Sequence, residues 1–121
     1  MDVTIPILKL GKVLLVNVHV ELDDEIASRL QNDTLEAIER AEAEGLVIDI
    51  TGLEVVDSYV ARILAETGQM AKLMGTRTVV VGMRPEVAAT LTRMGYSMAG
   101  VQTALNLEEG LDLLGYQLSR V

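Results

Sequence analysis

"LVIDITGLEVVDSYVARILAE", residues 46–66, passes from strand to loop to helix. "LVIDI" (46–50) is a short β-branched run between Gly45 and the Thr51-Gly52 pair, which marks a strand. "TGLEVVD" (51–57) reads as the loop, with Glu54 and Asp57 as its acidic members. From Ser58 onward, Ala61, Leu64, Gly68, Ala71 and Gly75 recur at spacings of three and four. That face is mostly small, so the helix can lie close on a sheet. Ser58 and Asp57 are both of the type that caps a helix N-terminus. Ser58 therefore has two readings: a structural cap, or a hydroxyl presented for chemistry.

Outward from this unit the pattern repeats. "TIPIL" and "KVLLVNVHV" flank "KLGK", where Gly11 permits a hairpin turn. Pro6 cannot donate to a ladder and places the first strand at an edge. "DDEIASRLQNDTLEAIERAEAEG" carries Ile26, Leu30, Thr34, Ile38 and Ala41 on one helical stripe. Asp23 or Asp24 caps its start, and Gly45 is expected to close it. "TVVVG" (78–82) is apolar on both sides, as an interior parallel strand requires. "RPEVAATLTRMG" has Pro85 in its first turn and Gly95 past its end. "VQTAL" (101–105) is the last strand, and Asn106 with Glu109 forms a capping box that opens "LEEGLDLLG". The order is β-β-α-β-α-β-α-β-α: a single α/β domain over residues 1–121, with a mixed, mostly parallel sheet and about four helices.

Composition narrows the function. The chain has 121 residues, half of them apolar, but no Phe or Trp and only three Tyr. Its core is therefore aliphatic, and the aromatic platforms of a single-strand nucleic-acid binder are missing. The methionines (Met70, Met74, Met83, Met94, Met98) read as adaptable core filling. A formal net charge of −8 disfavours nucleic acid and anionic membranes as partners. Residues 1–60 hold 13 acidic and 4 basic side chains, whereas residues 61–121 hold 5 and 6. This asymmetry is either a set of solvated faces or an acidic surface that selects a basic partner. With no cysteine, no basic-then-apolar start and no run long enough to span a bilayer, the chain reads as cytoplasmic.

Enzyme chemistry finds little support. The lone His19, placed in the second strand, has no partners of a catalytic set, and a single His without Cys offers no usual zinc site. "VVVGMRPE" is only a faint phosphate-loop pattern. A receiver-type phosphotransfer domain needs clustered acids and a lysine near the last strand. The lysines here are Lys9, Lys12 and Lys72, Asp49 lies within its strand, and Asp57 follows seven residues after it. No metal or cofactor is expected. Tyr59, Ile63 and Met70 fall off the small-residue stripe, either as a contact surface or as packing for a neighbouring helix.

The topology, the acidic loop and "VVDSYVARILAETGQMAKLMGTRTVVVGMRPEVAATLTRMG" resemble the STAS domain of bacterial anti-sigma-factor antagonists. "DSYVARIL", "KLMG", the G-x-x-P-x-V-A-x-T-L run from Gly82 to Leu91 and "TALNLEEGL" are similar, within that family, to the small scaffold subtype of the stressosome. The resemblance implies a phosphoprotein of a stress-response signalling pathway and not an enzyme, with Ser58 as the phosphorylated serine. It implies a switch serine kinase held until that modification, a PP2C-type phosphatase, and a paralogous STAS scaffold that carries a sensor domain, in homo- and hetero-oligomers. Asp57, Tyr59, Glu54 and Arg62 are the expected partner-binding residues. Direct anti-sigma antagonists tend to follow the serine with a small hydroxyl residue and then glycine. Tyr59 and Val60 stand there instead, which favours the scaffold subtype. The alternatives are a direct antagonist that binds an anti-sigma kinase, and a small nucleotide-binding or phosphotransfer domain.

Overall fold

The computed structural model describes residues 5–95 and 100–116. Five strands, β1 (Ile7–Leu10), β2 (Val13–Asn17), β3 (Gly45–Asp49), β4 (Arg77–Val81) and β5 (Gln102–Ala104), form one sheet in the order β1-β2-β3-β4-β5. Only β1–β2 is antiparallel; the other neighbours run parallel. The helices are α1 (Asp24–Ala41), α2 (Ser58–Leu73), α3 (Pro85–Arg93) and α4 (Leu107–Leu113). The expected order and the mixed sheet are both present. Pro6 precedes β1, which is indeed an edge strand.

Strand order explains the layering. Strands β2 to β5 are added always in the same direction, and parallel crossovers share one hand. All three crossover helices must then lie on one face. The larger core accordingly joins Leu30 and Ile38 of α1, Ala61 and Leu64 of α2, and Val87 and Leu91 of α3 to Leu14, Val16, Leu46, Ile48 and Val80 of the sheet. Helix α4 follows the last strand and is free to cross to the other side. There Leu111 and Leu114 cover Val13, Val47, Val79 and Val81. Beside it, Tyr116 donates to Glu44 at 2.8 Å, and that hydrogen bond holds its phenol above the ordinary tyrosine pKa.

The small face of α2 serves as its spacing predicts: Ala61, Leu64, Gly68 and Ala71 are buried. A Cβ on Gly68 would run into the side chain of Val101, so only glycine allows this approach. Gly75 lies beyond the helix and is exposed.

Several expectations need correction. Helix α1 ends at Ala41 with Glu42 in the left-handed region at φ 50, and its N–H bonds Ile38 O; Gly45 instead opens β3. Ala27, not Ile26, is the fully buried first member of the α1 stripe. Of the two candidate caps there, Asp23 accepts from Ile26 N at 2.8 Å. His19 lies just past β2 and is exposed. Met70, Met74 and Met94 are partly at the surface and only Met83 packs against the larger core, so methionine is not general core filling here. Met98 lies outside the described residues. The α4 box is open on one side. Asn106 accepts from Glu109 N, but the Glu109 carboxylate accepts from Leu105 N and not from the cap's own amide.

Candidate functional site

The carboxyl ends of parallel strands are where an open α/β sheet presents its loops, and the loop from β3 to α2 is one of them. Its shape follows from two inward apolar residues three positions apart. Leu53 and Val56 point inward and are buried, while Glu54 and Val55 between them are exposed. A tight turn, Leu53 N to Ile50 O at 2.9 Å, seats the first of these plugs.

Polar contacts from three elements hold the outer side of the loop. The Asp49 carboxylate at the end of β3 accepts from Thr51 N at 2.9 Å and from its hydroxyl at 2.6 Å. Arg84, at the cap position of α3, donates to Thr51 O at 2.9 Å and stands 3.9 Å from the Glu54 carboxylate. Glu21, ahead of α1, accepts from Glu54 N at 3.1 Å. Gly82 sits beneath with φ +76; a Cβ there would crowd both the Thr51 side chain and the Asp49 carboxylate. Glu54, expected to meet a partner, is thus tied by its backbone into the loop, though its carboxylate stays largely exposed.

The loop delivers the chain to α2, and here the two capping candidates separate. Asp57 is the cap: its carboxylate accepts from Val60 N at 2.8 Å, and its carbonyl starts the helix by accepting from Ala61 N. Ser58 is the first helical residue, exposed, and among the described residues its hydroxyl has no hydrogen-bond partner. The aspartate does the structural work and leaves the serine oxygen uncommitted. Loss of a cap costs about 0.5–2 kcal/mol. At a typical loss of about 1 kcal/mol, Asp57→Ala is therefore expected to lower Tm by roughly 3–6 °C, whereas exposed Ser58→Ala should stay within about 0.5 kcal/mol of the parent. Thermal unfolding followed by circular dichroism checks the contrast; equal losses would contradict the assignment.

Tyr59 divides the difference between contact surface and packing. Its hydroxyl bonds that of Ser28 on α1 at 2.5 Å, and the ring is half-buried. Ile63 belongs to the core, and Met70 is partly exposed. Arg62 lies over the outer side of Tyr59, its guanidinium carbon 5.2 Å from the ring centroid, with Nε 3.8 Å from Glu66. Among the expected partner-binding residues, Asp57, Tyr59 and Arg62 are therefore brought together around Ser58, while Glu54 stands on the loop before them. Sequence reasoning missed Asp49, Thr51, Arg84 and Glu21 as the loop's tethers. The one signal for them was a glycine followed two positions later by arginine at a strand end. No group of three or more metal-ligating side chains occurs among the described residues. No helix among them is long and apolar enough to cross a membrane.

An open sheet with its crossover helices on one face, and a tethered loop that ends in a capped helix, defines a recognised class. The chain belongs to the STAS domain family, whose model matches residues 4–110. Among solved structures it is similar to Moorella thermoacetica RsbS S58E, with 42% identity and TM-score 0.81 over 92% of this chain and 94% of that one. It is also similar to a chain from the molecular architecture of the stressosome, a signal integration and transduction hub, with 40% identity and TM-score 0.74 over 91% and 96%. The Bacillus subtilis (strain 168) RsbT co-antagonist protein RsbRA is 31% identical over 90 residues, 74% of this chain. The match spans only 33% of that relative's length.

Proposed function

We propose that this chain is a phosphoregulated scaffold of the stressosome type, which holds a serine kinase and releases it when Ser58 is phosphorylated. The observation that carries the reading is the free, exposed Ser58 hydroxyl beside a helix cap supplied by Asp57. In the transfer, the Ser58 oxygen bonds the γ-phosphorus of ATP, the bond to ADP breaks, and the hydroxyl proton leaves to a base on the kinase. This chain's part is to present the oxygen, not to catalyse. The names of its relatives agree: one comes from the stressosome, the Moorella protein is RsbS in a serine-to-glutamate form, and the Bacillus protein is named as a co-antagonist of RsbT. A sensor-bearing STAS paralogue and a PP2C-type phosphatase complete the expected set of partners. Tyr59 and Val60 argue against a direct antagonist of an anti-sigma factor.

The test begins with the cognate switch serine kinase and ATP, followed by peptide mass spectrometry. A single added phosphate on Ser58 is expected, together with loss of kinase capture by Ser58→Asp. Phosphate on another residue, or kinase capture unchanged by Ser58→Asp, would overturn the reading. Capture of an anti-sigma kinase in its place would shift the function to direct antagonism.

A further inference from the structure

We infer that Arg62 is the intramolecular counter-charge for a phosphate on Ser58, and that in taking this role it gives up Tyr59 and Glu66. The inference rests on the proposed modification of Ser58 and adds a device that neither the fold nor its relatives' names assign.

The geometry is that of one helix face. Ser58, Arg62 and Glu66 follow one another at steps of four along α2, where side chains on successive turns are neighbours. Helical side chains lean toward the N-terminus, so a residue covers the turn before its own. Arg62 does so already: its guanidinium stands over Tyr59, the residue next to Ser58.

The present partners of Arg62 hold it weakly. The Glu66 contact is a single approach of 3.8 Å between side chains that are 55% and 46% exposed. Its polarity is also the less favourable one, with the acid on the C-terminal side of the base. A phosphate at position 58 would reverse each of these disadvantages. It lies N-terminal to the arginine, carries nearly two charges against one, and offers three acceptors in a form that a guanidinium meets with two parallel bonds. Asp57 next door strengthens the demand for a cation, because its carboxylate is fixed by the Val60 amide and cannot turn away. Arg84, whose Nε donates to the loop carbonyl of Thr51, already has a structural task.

The result is an exchange and not a simple addition. Phosphorylation places an anion at the helix start, withdraws the exposed cation from its present position, and uncovers the outer face of Tyr59. A partner that reads this surface meets three changes from one covalent event.

The test needs no kinase. Phosphoserine is incorporated at position 58 during translation, and its phosphorus resonance is titrated against pH in the parent and in Arg62→Gln. A neighbouring cation favours the dianion, so the parent phosphate should titrate lower than that of Arg62→Gln by about 0.2–0.4 pH unit. Arg62→Lys should fall between them. The Tyr59 ring proton shifts should move on phosphorylation in the parent and stay in place in Arg62→Gln. Superimposed titration curves, or a Tyr59 signal that ignores both changes, would overturn the role of Arg62. Because phosphate is installed directly, that outcome leaves the Ser58 reading standing. A kinase that modifies a different residue would instead defeat that reading. Arg62 is exposed, so both variants should fold, and their circular dichroism confirms it.

Discussion

Leu53→Ala is expected to lower the free energy of unfolding by about 2–5 kcal/mol, the range for removing a buried leucine and leaving a cavity. Leu53 is fully buried although it belongs to a loop, and it packs within the larger core beside Ile50 and Val56. The surrounding backbone cannot collapse easily into the gap. Asp49, Arg84 and Glu21 fix the polar side of the same loop from three directions. The upper half of the range is therefore the expected outcome. Urea titration measures it, with Val55→Ala as the control, since Val55 is 72% exposed and should change stability by no more than about 0.5 kcal/mol. If both substitutions cost the same, the loop is not held by its inward plugs.

Phosphoserine at position 58 is expected to leave the fold intact while it weakens kinase binding by at least about 100-fold, or roughly 2.7 kcal/mol. Within the chain the charges nearly offset. A helix N-terminus favours an anion by about 0.3–1 kcal/mol, rising to ~2 in good geometry. Against this, two unit charges about 5 Å apart in water repel by roughly 0.8 kcal/mol, and a dianion beside Asp57 feels about twice that. No hydrogen bond of the Ser58 hydroxyl has to be broken, because Asp57 and not Ser58 caps α2. Across an interface the cost is larger: a partner packed over Ser58 must strip water from a dianion, at a cost of several kcal/mol wherever its oxygens are left unpaired, and one exposed arginine pairs at most two of the three. Calorimetric titration of the kinase into parent and phosphorylated chains, with unfolding curves for both, reads the two quantities separately. A phosphorylated chain that unfolds would contradict the charge argument; one that binds as tightly as the parent would contradict the release.

The sequence specified the architecture well, because each crossover unit carried its own signals. "LVIDI" announced a strand by its β-branched run and "TVVVG" a parallel one by its two-sided apolarity, and the small-residue spacing of α2 foretold its buried face. Helix ends were less legible. Glu42 adopts a left-handed conformation that glycine favours, so Gly45 was the natural but wrong terminator of α1. The site showed the same split. Asp57 and Ser58 are both good caps, and only the bond to Val60 N decides between them. Beyond the Gly82-x-Arg84 spacing, the tethering roles of Arg84 and Glu21 were not legible. They stand more than 25 residues from the loop segments they hold, and a single sequence carries no periodicity that links such pairs.

Gly68 of α2 meets the Val101 side chain where a Cβ would stand. Val101 stands immediately before β5, and its side chain fills the space where any side chain at position 68 would have to go. On the proposed reading, a phosphate on the exposed Ser58 oxygen is expected to be read as a change of surface chemistry at the start of α2. The packing beneath that surface, closed at Gly68, is expected to stay as it is while the face above it changes.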